Sequence, residues 1–257
     1  MSDSIKINRL NGRVAIVTAS TEGIGFAIAR RLASEGAKVI ISSRKEEHVS
    51  NAVNKLEREG LHVTGLVCHV AKSEDRKKLF AASERLGGLD ILISNAAVNP
   101  EVVGVLNTSE KAWDKIFDVN LKAAFLLSKE SLPQLRKSKY GRIVFVSSIS
   151  AYQHFLLPGA YSVSKTALLG LTKATAMQLG PQNITVNCVA PGTIETRFST
   201  ILTNTKSGME WCLSKTLLGR LGKPDDISGV VAFLVSDDGG FVSGETIVAS
   251  GGMTCHL

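Results

Sequence analysis

Cysteine is scarce in this chain and carries no pairing pattern. The four cysteines, Cys68, Cys188, Cys212 and Cys255, form no C-x-x-C unit, and no histidine stands at metal-ligand spacing from them. The expectation is reduced thiols and no metal site. Long apolar runs are missing too, and none reaches the ~20 residues that a membrane-spanning helix needs. The opening residues Met1-Ser2-Asp3-Ser4-Ile5-Lys6 lack the apolar core of a signal peptide. No secretory route is expected, and the sequons at Asn107 and Asn183 read as chance matches. Aromatic residues make up 5% of the chain. Basic residues outnumber acidic ones, giving a net charge of +7, yet they are scattered singly or in pairs such as Arg30-Arg31 and Lys77-Lys78. Without a basic run, nucleic-acid binding is not the expected role, and a solvated surface that favours anionic ligands is. Repeats, low-complexity tracts and linkers are absent, so one domain over residues 1–257 is the economical reading.

What is present begins with a corner. The apolar, β-branched run Val14-Ala15-Ile16-Val17 reads as a strand buried on both faces. It ends in Thr18-Ala19-Ser20-Thr21-Glu22-Gly23-Ile24-Gly25, and a helical pattern follows through Ala27, Ile28, Arg31 and Leu32 to a stop at Gly36. Strand, glycine turn and helix make a phosphate-binding corner. The glycines let backbone approach a pyrophosphate, and the helix start offers free N–H groups with a favourable dipole. Ala19 stands where a first glycine is expected, which is tolerable if its φ stays negative.

Strands and helices then alternate. Strands are expected at 38–42, 63–67, 89–93, 142–146, 184–189 and 244–248, with helices at about 46–59, 73–86, 109–137, 159–180 and 224–235. With the first strand this predicts a parallel, doubly wound α/β sheet of seven strands with right-handed crossovers. The second strand ends at Ser43-Arg44-Lys45. An acid about twenty residues past the glycines would bind the ribose 2′-hydroxyl of NAD, but the residue there is Arg44. A guanidinium matches a 2′-phosphate, so the expected cofactor is NADP(H).

Asn120 lies amid Phe117, Val119 and Leu121 in the long helical stretch and wants a hydrogen-bonding reason. It is either a structural amide or a residue that bends the helix and holds a water. Ser148 closes the fifth strand, and the loop holding His154 to Pro158 lets it share a pocket with Tyr161. Tyr161 and Lys165 are four apart in a helical segment, so both side chains lie on one face. A fixed ammonium beside a phenol favours the phenolate and readies the tyrosine to move a proton. The stretch 197–220, holding Phe198, Met209, Trp211 and Leu213, reads as an apolar lid.

These segments resemble the classical short-chain dehydrogenase/reductase family from about Gly12 to Gly252. The resemblance rests on T-A-x-x-x-G-I-G at Thr18 to Gly25, N-A-A at Asn95 to Ala97, Asn120, Ser148, Y-x-x-x-K at Tyr161 to Lys165, and Pro191-Gly192. His69 departs from it, standing where many members have an Asp near adenine. The resemblance implies a Rossmann-type domain and a nicotinamide cofactor. It would be bound by Ser20, Thr21, Gly23, Ile24, Gly25, Ser43, Arg44, Lys45, His69, Val70, Asn95, Ala96, Tyr161, Lys165, Gly192, Ile194 and Thr196. It also implies that Tyr161 donates a proton to a substrate carbonyl oxygen and that Ser148 hydrogen-bonds the same oxygen. Lys165 would lower the Tyr161 pKa, and Asn120 would position a relay water. The implied substrates have an apolar body and one polarised carbonyl: ketones, α-dicarbonyls, quinones or retinal. A ketoacyl-thioester reductase and a catalytically silent NADP-binding regulator are the rival readings. A homotetramer is implied by resemblance alone. The terminal Cys255-His256-Leu257 matches a relaxed peroxisomal address of small residue, basic residue and leucine.

Overall fold

Ala15, Ile16 and Val17 alternate between two cores. Ala15 and Val17 pack with Ile28, Leu32, Val231 and Leu234 on one side of the sheet. Ile16 packs with Leu79, Leu127, Phe145 and Leu168 on the other. A strand apolar on both faces needs helices on both faces, which a parallel sheet with helical crossovers supplies. The computed structural model, which describes residues 8–153, 157 and 159–253, has this layered form. Its strands are β1 (Val14–Val17), β2 (Lys38–Ser43), β3 (Val63–Val67), β4 (Ile91–Ser94), β5 (Arg142–Val146), β6 (Thr185–Pro191) and β7 (Thr246–Ala249). They form one seven-stranded sheet in the order β3-β2-β1-β4-β5-β6-β7. Every pairing in it is parallel.

The helices α1 (Gly23–Ser34), α2 (Glu46–Arg58) and α3 (Ser73–Arg85) connect the first four strands. Because β1 sits between β2 and β4, the winding direction reverses there. The crevice beyond the carboxyl ends of these strands is where such sheets bind ligands.

The stretch expected as one helix over 109–137 is interrupted. It comprises α4 (Glu110–Phe117), a π-helical turn over Asp118–Lys122 and α5 (Ala123–Leu135). Asn120 lies in the wide turn, 1% exposed. Its Oδ1 accepts from the Val98 N–H at 2.8 Å, and its Nδ2 donates to the Val98 carbonyl at 3.1 Å and to Ser164 Oγ at 3.0 Å. Of the two sequence readings, the structural amide holds, and the helix widens into a π turn at this residue.

The remaining helices are α6 (Gly159–Leu179), α7 (Thr200–Thr203), α8 (Lys206–Ser214) and α9 (Pro224–Val235). The expected last strand begins at Thr246 instead of Gly244, whose φ of +80° sets it in a turn. Between Pro191 and α9 the chain forms α7 and α8, with Cys212 of α8 buried. The expected loop residues His154, Phe155, Leu156 and Pro158 lie outside the described residues, as does the tail Cys255-His256-Leu257.

Candidate active site

The glycine corner is built by close backbone approach. Gly25 meets the end of β1 so tightly that a Cβ would lie 2.4 Å from the Ala19 carbonyl and 2.6 Å from Asn95 Nδ2. Gly23 takes a φ of +57°. The expectation for Ala19 is overturned: its φ is +50°, in the left-handed region that alanine enters at a cost of ~1–2 kcal/mol. Neighbours hold it there. Asn95 Nδ2 donates to the Thr18 and Ala19 carbonyls at 3.1 and 3.0 Å. Thr18 Oγ1 in turn accepts from the N–H groups of Asn95 and Ala96 at 2.9 and 3.2 Å. This stitch joins the ends of β1 and β4.

Glu22 precedes α1 without capping it through its side chain, so the first N–H groups of the helix are open to a ligand. Those donors, the helix dipole and the space that only glycine leaves form a cradle that fits a pyrophosphate.

The corner opens into a cavity of about 720 Å³. Gly23, Ile24, Asn95, Gly192, Ile194 and Thr196 line it together with Ser148, Tyr161 and Lys165. The lid supplies Phe198, Ile201, Leu202 and Trp211.

Tyr161 and Lys165 rise from α6 against the end of β5. Lys165 is 2% exposed, and its Nζ donates to the Val146 carbonyl at 2.7 Å. Ser147 Oγ donates to the Lys165 carbonyl at 2.8 Å, fixing helix to strand. The ammonium lies 5.5 Å from the Tyr161 ring centroid. The Ser148 hydroxyl lies beside the Tyr161 phenol, and both line the cavity. Ser148 Oγ also accepts from the Ser150 N–H at 3.1 Å and donates to Ser150 Oγ at 3.2 Å.

Burial dominates the electrostatics. It pushes the Tyr161 phenol up to about 12, with the Ser148 hydrogen bond pulling the other way. It also pushes the Lys165 ammonium down to about 8. The expected lowering of the phenol is therefore not what this geometry produces. Tyr161 is held protonated, as a proton donor must be, and Lys165 titrates close to neutrality.

The other sequence-predicted residues are arranged around the corner. Ser20 is buried and structural: its Oγ donates to the Val17 carbonyl at 2.6 Å and accepts from the Ser42 N–H at 3.0 Å. Thr21 is half-buried in the turn. Ser43 ends β2, its carbonyl accepting from the Cys68 N–H at 2.9 Å, and Arg44 and Lys45 follow, exposed. Arg44 makes no hydrogen bond or ion pair among the described residues, which leaves its fork open. The His69 ring is pulled below its ordinary value by burial, then by Lys115, Arg44 and Lys72, so it is neutral amid cations. Val70 is buried, its carbonyl accepting from Arg76 Nη1 at 2.8 Å. Gly192 passes so close to Ser250 that a Cβ would lie 2.8 Å from its Cα. The Thr196 N–H donates to Ser199 Oγ at 3.2 Å.

Sequence reasoning missed four contributors: the Thr18 hydroxyl, the Glu22–Arg197 ion pair, Ser150 and Asn99. Thr18 sits inside a quoted motif, so its position was legible and only its bonding was not. Glu22 lies in the same run, and its pairing with Arg197, like the surroundings of Ser150 and Asn99, is brought by the fold.

This fold and arrangement are those of a nicotinamide-dependent oxidoreductase. The family model described as enoyl-(acyl carrier protein) reductase matches residues 18–254. Dehydrogenase/reductase SDR family member 4 of Bos taurus is 52% identical over 251 residues, covering 97% of this chain and 90% of its own. The human dehydrogenase/reductase SDR family member 2, mitochondrial, is 50% identical over 243 residues, covering 94% of this chain and 86% of its own. A short-chain dehydrogenase of Burkholderia cenocepacia, solved in complex with NADP, shares the fold with a TM-score of 0.88 at 32% identity, covering 96% of this chain and 99% of its own. The chain belongs to the short-chain dehydrogenase/reductase family and is an oxidoreductase of it.

Proposed function

We propose that this protein is an NADPH-dependent carbonyl reductase acting on apolar ketones, α-dicarbonyls, quinones or retinal, and on the matching alcohols in reverse. One observation carries the reading: a protonated phenol and the serine hydroxyl beside it face an apolar cavity that continues into a pyrophosphate cradle. When bound, the cofactor supplies the hydride. The chain's residues do the rest. Gly23, Ile24 and Gly25 receive the pyrophosphate, while Ser43, Arg44 and Lys45 receive the ribose phosphate. Asn95, Ala96, Gly192, Ile194 and Thr196 enclose the remainder.

Tyr161 gives its proton to the carbonyl oxygen, and Ser148 donates a second hydrogen bond that stabilises negative charge as it develops there. Phe198, Ile201, Leu202 and Trp211 exclude water and hold the apolar body of the substrate. Lys165 keeps a positive charge behind the phenol, which eases departure of the proton, and it receives the nicotinamide ribose. Asn120 shapes the π-helical turn behind α6, the expected position of a relay water to Lys165.

A homotetramer is part of this proposal. Exposed Trp113, Phe125 and Val163 on α4, α5 and α6 support burial against another copy. So is a peroxisomal location, supported by the Cys255-His256-Leu257 pattern.

The test is NADPH oxidation by wild type and Tyr161→Phe against ketones, quinones, retinal and carrier-bound ketoacyl thioesters, with NADPH binding followed by fluorescence. Wild-type turnover of free carbonyls is expected, with loss of at least ~100-fold in Tyr161→Phe and NADPH binding retained. A Tyr161→Phe variant as fast as wild type refutes the catalytic assignment. Exclusive turnover of the thioesters replaces it with the ketoacyl-thioester reading.

A further inference from the structure

Most polar side chains lining the cavity already have partners within the protein. Asn95 holds the β1 turn, Ser147 bonds the Lys165 carbonyl, Lys165 bonds the Val146 carbonyl, and Ser148 bonds Ser150. Asn99 lines the same cavity and differs from them. Its amide oxygen is cut off from solvent and has no hydrogen-bond donor. A buried carbonyl without a donor is uncommon and unfavourable in a folded protein.

The backbone that carries Asn99 is also tightly placed. The preceding residue, Val98, is held at both its N–H and its carbonyl by the Asn120 amide, at 2.8 and 3.1 Å. Asn120 is buried and anchored to α6 through Ser164 at 3.0 Å. An unpartnered acceptor therefore sits on a fixed backbone beside an otherwise apolar substrate space, sharing the cavity with the Tyr161 and Ser148 hydroxyls. The last bond of an asparagine side chain has a broad, soft torsion, so turning Oδ1 towards the cavity that Asn99 lines costs little.

We infer that Asn99 is a specificity-determining residue, and that the site favours carbonyl compounds that also carry a hydroxyl group. With the carbonyl oxygen at Tyr161 and Ser148, the substrate hydroxyl donates to Asn99 Oδ1. The preference follows from an acceptor that a purely hydrocarbon substrate leaves without a donor. It rests on the carbonyl-reductase reading and deepens it by naming a substrate class.

The experiment compares kcat/KM for aryl ketones bearing a hydroxyl at increasing distance from the carbonyl, for their deoxy parents and for matched diketones. Wild type, Asn99→Leu and Asn99→Asp are measured with NADPH. Wild type is expected to prefer at least one hydroxy ketone over its parent. Asn99→Leu lowers that ratio by about 10–100-fold. Asn99→Asp, which keeps an acceptor at the same reach, retains most of it. An unchanged ratio in Asn99→Leu overturns the inference, as does a wild type that prefers no hydroxy ketone. A preference for diketones alone also overturns it, because it would assign the amide the donor role. If Asn99→Leu fails to fold, calorimetric binding of hydroxy ketones and their parents to wild type and Asn99→Asp decides the same point. A wild type that reduces no carbonyl compound at all defeats the reductase reading. In that case selective binding of the hydroxy ketones still supports Asn99, and its absence overturns it.

Discussion

Arg197 Nη2 donates to Glu22 Oε1 at 2.6 Å, joining the start of the lid to the glycine corner across 175 positions of sequence. The carboxylate stands at the mouth of a cradle meant for phosphate, where its charge alone would be unfavourable. The guanidinium cancels it and ties down the lid. Gly23 makes the same junction by shape: a Cβ there would lie 3.2 Å from Thr196 Cγ2.

Arg197→Ala is expected to raise the KM for NADPH about 3–10-fold, because Glu22 is left facing the phosphates. Stability should change little, since the pair is exposed and such pairs contribute ~0–1 kcal/mol. The double variant Glu22→Ala/Arg197→Ala should recover most of the affinity. Steady-state kinetics at low and moderate salt check this, and equal losses in single and double variants would refute the charge argument.

Lys165 predicts a pH profile. Its ammonium titrates at about 8 instead of its ordinary 10.5 because burial disfavours the charge. The charged form is thus present below about 8 and lost above it, while Tyr161, raised to about 12, stays protonated throughout. Carbonyl reduction should fall as pH rises through about 8, with a slope of one proton, and the step should disappear in Lys165→Met. Folding stability moves the other way. Between about 8 and 10.5 the unfolded chain binds a proton that the folded chain has released, so this group favours the folded state more as pH rises. Denaturant melts across that interval measure the sign.

Ala19 holds a φ of +50° that glycine would adopt freely. Ala19→Gly should stabilise the protein by about 0.5–1 kcal/mol, a rise in Tm of ~1–4 °C, with NADPH affinity unaltered. Gly25→Ala should do the reverse. Its Cβ would strike the Ala19 carbonyl at 2.4 Å, and cofactor affinity should fall at least ~10-fold. Thermal melts and cofactor titration of both variants test the pair of outcomes.

Arg44 is exposed beside the neutral His69 with no carboxylate bonded to its fork. Arg44→Asp should invert the sign of the field at the ribose site, cutting the NADPH-to-NADH ratio of kcat/KM by ~100-fold or more. An unaltered ratio would show that another cation reads the phosphate.

Much of the site was legible before folding because its parts are local. The Thr18–Gly25 corner is a strand, a turn and a helix start in sequence, and Tyr161 and Lys165 share a face through helical spacing alone. Asn120 was legible as an anomaly, an amide among apolar neighbours, although the π-helical turn around it was not. That turn depends on Val98 and Ser164, which are 22 and 44 residues away. The alanine at position 19 was visible, but its left-handed backbone was not, because the Asn95 side chain that bonds its carbonyl comes from beyond the end of β4.

Periodicity and residue type by themselves determined the seven strands, the parallel winding, the phosphate corner and the pairing of phenol with ammonium. Those features depend on neighbours within a few positions and on which faces must leave water. Only the tertiary structure decided how the groups behave. Burial set the Tyr161 and Lys165 proton affinities against the expectation from charge alone, and distant chain segments brought Arg197 to Glu22. Packing also left the Asn99 oxygen without a donor. Desolvation and long-range contacts arise from the folded whole, and no window of sequence contains them.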